Sequence, residues 1–136
     1  MKTTSHAPTG ATLSHLWLFS MLNMLFRDVH ELTMASTIAE ISSGYLNGVK
    51  MTEGLLFAGG LIVELLMLGM LLSRVLRPKW SRILNLVLPP VAILGTIAAN
   101  PSDPDDYFYA VIEIAAFCAI FFIALRWRVP ETADAA

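Results

Sequence analysis

Charge is scarce in this sequence. Only 15% of its 136 residues are Asp, Glu, Lys or Arg, against about 25% in a soluble domain. Its few basic residues form no patch of the kind nucleic acid requires, which excludes that partner. The single cysteine, Cys118, sits in an apolar run. It excludes an intramolecular disulfide and CxxC redox chemistry, and it reads as a packing residue. Histidine is nearly as sparse. His15 and His30 share one apolar segment and no other contains one, which excludes bis-histidine haem within one chain. No lysine lies inside an apolar run, so a retinal Schiff base is excluded too. Also missing are a Glu-x-x-His pair, the donor pattern of di-iron bundles, a Ser/His/Asp set and a phosphate-binding loop. Met1 to Ser14 is polar and carries no run of signal-peptide type, so the first apolar run is expected to remain as a helix.

What the sequence does have is hydrocarbon. Hydrophobic residues make up 56% of it, and its mean hydropathy is +0.64. The length suits one domain. A membrane helix needs about 20 mostly apolar residues, and four stretches meet that need. They run from about Leu13 to Met34, Thr52 to Leu76, Trp80 to Ala99, and Asp106 to Trp127. The first is interrupted near its end by Arg27, Asp28, His30 and Glu31. The third holds Pro89 and Pro90 at its centre, where a kink is expected. The expected fold is all-α, a four-helix transmembrane bundle. Residues 1–12 and 129–136 are expected to be flexible ends.

Lys and Arg mark the cytoplasmic side of a membrane protein. Arg74, Arg77, Lys79 and Arg82 join the second and third spans, and Arg126 and Arg128 follow the fourth. The opposite side has Asp103, Asp105 and Asp106 in one loop and a single Lys50 in the other. Both termini are therefore expected in the cytoplasm, with Trp80 and Trp127 at the inner interface. The outer connection 35–51 contains Gly44 and Gly48 and mixes apolar with polar residues. It reads equally as an interfacial helix or a plain loop.

A charged side chain at mid-bilayer costs about 2.5–3.5 kcal/mol even on the lenient insertion scale. Such groups are paired or face a cavity, so their direction matters. At about 100° per residue, Ser20, Asn23, Arg27, His30 and Glu31 share a face of the first span, with Asp28 at its edge. Glu53, Gly60 and Glu64 share a face of the second. Asn85, Pro89, Ala92, Thr96 and Asn100 align on the third. Asp106, Tyr109, Ala110, Glu113 and Phe117 align on the fourth. These stripes are expected to meet in a pocket open to the outer side, with Glu64 as its floor and Arg27 as its only nearby fixed cation. Each residue also has a plainer reading. Asp28, His30 and Glu31 suit a helix end at the water interface. Glu53, next to Thr52, suits an N-terminal charge complementing the helix dipole. Glu64 suits a structural group bonded to Asn23, Asn85 or Thr96.

The leading functional expectation is a protein that binds or transports a small solute or cation through this acidic pocket, with protonation of Glu64 and Glu113 as the switch. The candidate ligand- or proton-binding residues are Asn23, Arg27, Asp28, His30, Glu31, Glu53, Glu64, Tyr109 and Glu113. No cofactor is implied. The donor types Asp28, His30, Glu31, Glu64 and Glu113 leave room for a single loosely held divalent cation. One alternative is a structural or accessory subunit of a larger membrane complex, where the stripes merely hold helices together. A second is a membrane enzyme acting on a lipid-soluble substrate, with Asp28, Glu64 or Glu113 as acid or base. Four spans enclose little volume, so a homo-oligomer or a partner within a membrane complex is expected, alongside lipids.

The segments LWLFSMLNMLFRDVHE, TEGLLFAGGLIVELLMLGMLLSRVL and DPDDYFYAVIE resemble a family of small four-span bacterial membrane proteins known only as a domain of unknown function. The likeness covers most of the chain. It implies the fold and a bacterial source, and no activity; the expected location is the bacterial cytoplasmic (inner) membrane. In general plan the chain is also similar to DoxX-like proteins. It does not fit the small multidrug exporters, whose essential glutamate lies in the first span, whereas the central one here is Glu64 in the second.

Overall fold

A computed structural model describes residues 9–99, 101 and 103–128. The expected tail 129–136, most of the expected N-terminal segment and Asn100 lie outside the described residues. The fold is all-α, with five helices among the described residues: α1 Thr9–Glu31, α2 Ala35–Ser42, α3 Glu53–Val75, α4 Pro78–Ala98 and α5 Pro104–Arg126. Three of them, α3, α4 and α5, are long and apolar enough to cross a membrane. α1 equals α3 and α5 in length, with 23 residues, but carries charge through its last turn and a half. It begins at Thr9, so residues 9–12, expected to be flexible, are helical.

The helix ends follow from local chemistry. Thr52 caps α3 by accepting a hydrogen bond from the Leu55 amide at 3.3 Å, which satisfies one of the orphan donors of the first turn. Glu53 and Arg74 then complement the dipole at its two ends. Pro78 and Pro104 open α4 and α5, where a missing N–H costs nothing. Pro89 and Pro90 lie within α4, which continues through them.

The connection 35–51 is neither a plain loop nor one helix. After α2 the chain makes a short antiparallel hairpin, with β1 Tyr45–Leu46 paired to β2 Val49–Lys50. Its turn is Asn47–Gly48, with φ of 49° and 73°. Two consecutive positive φ values define the type I′ turn that Asn-Gly favours. Glu40 Oε2 accepts a hydrogen bond from the Asn47 amide at 2.9 Å, which fastens the hairpin to α2.

The long helices pack as neighbouring pairs, α1 on α3 and α5, and α4 on α3 and α5. The core lies where they converge and consists of Leu13, Trp17, Leu66, Leu88, Ala92, Phe117 and Ile120. The Trp17 and Phe117 rings meet at 5.6 Å with a 51° tilt. α1 and α4 touch little, yet a polar network crosses between them. Asn85 Oδ1 accepts from Trp17 Nε1 at 2.7 Å. Asn85 Nδ2 donates to Ser73 Oγ and to the Ser81 carbonyl, both at 2.8 Å. The network thereby ties α1, α3 and α4 together. Close approach is built in as well. A Cβ on Gly10 would stand 2.6 Å from the Ser73 carbonyl oxygen, so α1 meets α3 through a bare backbone.

The helices alternate in direction. Arg82, near the start of α4, donates to the carbonyls of Ala124 at 3.1 Å and Leu125 at 3.3 Å, which caps the end of α5. The start of α1, the end of α3, the start of α4 and the end of α5 thus lie at one end of the molecule. Arg74, Arg77, Lys79, Arg82, Arg126 and Arg128 belong to that end. The end of α1, the hairpin, the end of α4 and the start of α5 lie at the other.

Candidate functional site

Among the described residues one carboxylate lies fully inside the protein, Glu113 of α5. Three residues reach it from two other helices. From α1, Asn23 Nδ2 donates to Glu113 Oε1 at 3.4 Å and to the Tyr109 carbonyl at 3.2 Å. Arg27 Nη1 lies 3.5 Å from each Glu113 carboxylate oxygen. From α4, Thr96 Oγ1 lies 3.2 Å from Oε2. Among the described residues no buried side-chain nitrogen or oxygen is left without a partner. This is how a buried acid is tolerated: an opposite charge and several donors replace the water it loses.

Arg27 is the hinge of the site. Its side chain is 14% exposed. Beyond Glu113, its Nη2 lies 3.5 Å from Asp28 and its Nε 3.9 Å from Glu31. One guanidinium therefore serves three carboxylates, at distances that are long for an ideal charged pair. Above it, toward the end of α1, two recesses open. One, of about 190 Å³, is lined by Arg27, Asp28, Glu31, Leu46, Asn47 and Asp106 among others. The other, of about 320 Å³, is lined by Glu31, Ser36, Thr37, Asn47, Asp105 and Asp106 among others. Glu31, Asn47 and Asp106 line both and form the wall between them. Glu31 and Asp106 are within side-chain hydrogen-bonding reach of each other. His30 Nε2 lies 3.1 Å from Asp105 Oδ2 and clasps the end of α1 to the first turn of α5.

The expected stripes are thus partly realised. Ser20, Asn85, Pro89, Ala92 and Thr96 are buried, as are Ala110, Glu113 and Phe117. Asn23, Arg27, Asp28 and Glu31 meet Glu113 or the recess above it. Tyr109 contributes its main-chain carbonyl, while its ring packs edge-on against Phe108 at 5.6 Å. The stripe of α3 is the exception. That helix buries Leu66, Gly69 and Ser73, and Glu64 projects on the far side and is exposed. Glu53 is exposed at the first turn, where the dipole reading places it. Gly60 has nothing within 4 Å of where a Cβ would stand. The floor of the recess is accordingly Arg27 over Glu113, not Glu64. The plainer reading of Glu64 fails as well, because Asn23 and Thr96 serve Glu113 and Asn85 serves Trp17. Among the described residues no group of three or more His, Cys, Asp and Glu is arranged to hold a metal ion.

Thr96, Asn47, Asp105 and Asp106 belong to the site although they are not among the candidates read from sequence. Thr96 and Asp106 already shared a helical face with Asn85 and with Glu113. Asn47 was recoverable from the Asn-Gly turn signal, which fixes where the hairpin tip goes. The pairing of Asp105 with His30 has no local signal, since more than half of the chain separates them.

No curated protein and no solved structure matches the chain. A family sequence model matches residues 4–134, nearly the full length and every element of the site. The chain belongs to that family, the family of unknown function DUF6326.

Proposed function

We infer that this is a four-span membrane protein with both termini in the cytoplasm, and that it binds a small organic cation in the recess at its outer end. Several observations support the placement. α1 lies between α3 and α5, which brings it to the same depth as helices apolar enough to span. The end that gathers Arg74, Arg77, Lys79, Arg82 and Arg126 matches the cytoplasmic pattern of basic residues. The other end carries Asp103, Asp105 and Asp106.

The observation that carries the binding reading is the charge deficit around Arg27. One guanidinium faces Asp28, Glu31 and Glu113 at 3.5–3.9 Å. Carboxylates that share one cation are costly where they are shielded from water, as Glu113 is fully and Glu31 in part. A solute cation in the recess supplies the missing charge. It competes with Arg27 for Glu31 and Asp28, and this leaves the guanidinium to Glu113. An organic cation fits better than a metal ion, because no cluster of metal donors is present among the described residues. Glu113 is sealed beneath the recess and Glu64 lies outside the protein interior. The geometry therefore supports binding at the recess more than a relay between those two acids.

The test uses the full chain in lipid nanodiscs. Choline, tetramethylammonium, guanidinium and spermidine are each titrated at constant ionic strength while thermal unfolding is followed. At least one is expected to raise the melting temperature saturably beyond the sodium chloride control, as a ligand of the native state must. The double change Glu31→Gln with Asp106→Asn is expected to abolish that rise. If none of the four outperforms sodium, or if the double variant responds like the unaltered chain, the reading fails.

A second reading has its own support. The Trp17–Asn85–Ser73–Ser81 network and the complete pairing of buried polar atoms among the described residues suit helices held together for a structural role in a larger membrane complex. A stoichiometric protein partner retained through mild solubilisation would favour it.

A further inference from the structure

Glu64 is the central residue of α3, with equal lengths of helix on either side. α3 is also the most outward-facing of the three span-capable helices. Only 11% of its most apolar stretch is buried within the chain, against 33% in α4 and in α5. The side on which Glu64 stands is otherwise apolar, with Phe57, Leu61, Leu68 and Leu71 exposed around it. No described residue supplies Glu64 with a hydrogen bond or an ion pair. On the membrane reading above, this places a carboxyl at mid-bilayer facing hydrocarbon, where lipid chains offer it neither donor nor acceptor.

We propose that this face of α3 is where a second copy of the chain docks, with Glu64 of each copy hydrogen-bonded to the other's across a two-fold axis. A second copy is the occupant that symmetry favours. It carries the same group at the same depth, and an isologous contact brings each residue opposite itself or its near neighbours. A protonated carboxyl holds both a donor and an acceptor, so two such groups satisfy each other. Gly60, one turn from Glu64 on the same side, has open space where a side chain would lie, which allows two backbones to approach closely. The proposal is independent of the cation site, whose lining includes no residue of α3. It does rest on α3 spanning the membrane.

The test measures subunit number by single-molecule photobleaching of the labelled full chain in lipid bilayers of varied protein density. The unaltered chain is expected to form dimers. Glu64→Leu is expected to weaken association roughly ten-fold, and Gly60→Leu similarly by blocking the approach. Glu64→Gln keeps a donor and an acceptor and is expected to retain most of it. Because Glu64 makes no hydrogen bond or ion pair within its own chain, helix content by circular dichroism should not change in any of these variants. In a Cys118→Ser background, Gly60→Cys is expected to cross-link between copies, while Val87→Cys on the outer side of α4 is not. Monomers for the unaltered chain at all densities would overturn the proposal, as would dimers that survive Glu64→Leu. So would a different protein bound in stoichiometric amount through Glu64.

Discussion

Arg27→Met is expected to destabilise the protein by about 3–5 kcal/mol, more than any other surface-reaching change around the recess. Removing one member of a buried ion pair leaves the other charged and dry, and that cost is typically of this size. Here the abandoned group is Glu113, which has no exposure to solvent. Asn23 and Thr96 would remain as its neutral donors, so the expected value lies toward the lower end. Glu113→Leu alone should cost less than Arg27→Met, because the freed guanidinium keeps Asp28 and Glu31 and reaches water through the recess. The double change, Arg27→Met with Glu113→Leu, should recover much of the loss, since a buried pair exchanged for apolar groups is often nearly neutral. Unfolding in mixed micelles under increasing dodecyl sulfate, followed by circular dichroism, gives the four corners of this cycle. An Arg27→Met variant within about 0.5 kcal/mol of the unaltered chain, the range of ordinary surface changes, would mean that the pair is not formed.

Trp17→Ala is expected to cost about 3–5 kcal/mol, the range for emptying a large aromatic site. Trp17 is fully buried against Phe117 and Ile120 and is among the largest side chains in the core. It also donates to Asn85 across the gap between α1 and α4. Trp17→Phe separates the two contributions. It keeps most of the packing, loses the donor, and leaves Asn85 Oδ1 dependent on Ser73 Oγ at 3.0 Å. A loss of about 1–3 kcal/mol is expected for a buried acceptor deprived of its main partner. The same unfolding assay reads both variants. Equal losses for the two substitutions would show that the hydrogen bond, not the packing, is the dominant contribution.

The architecture is largely visible in the sequence because hydrocarbon length and helix-end chemistry are local. Thr52 with Glu53, and Pro78 and Pro104 at first positions, mark three helix starts without any tertiary information. The faces of α1, α4 and α5 are also legible, since Asn85 to Thr96 and Asp106 to Glu113 repeat with the helix. The face of α3 is not. Its sequence is apolar almost all round before Ser73 and Arg74, so only Glu53 and Glu64 break the pattern over that length, and the rule that polar residues point inward misleads at Glu64. In fact Gly69 and Ser73 are turned inward, because they let Trp17 and α1 approach and because Ser73 completes the Asn85 network. Periodicity gives the relative direction of residues on one helix and cannot say which direction is the interior. The hairpin is a different kind of omission, since its Asn47–Gly48 signal is local and strong.

The proposed outward-facing acidic recess above a sealed ion pair is most directly tested by chemical access. In a Cys118→Ser background, Asp106→Cys, Asn47→Cys and Glu113→Cys are exposed on intact cells to a maleimide that cannot cross membranes. The expected result is rapid labelling at positions 106 and 47 and none at 113. The rate at 47, where Glu31 and Asp106 are both retained, should fall in the presence of whichever organic cation stabilises the unaltered chain. Labelling at 113 as fast as at 106, or labelling at 106 and 47 only after the cytoplasmic face is opened, would contradict both the sealed centre and the outward-facing mouth.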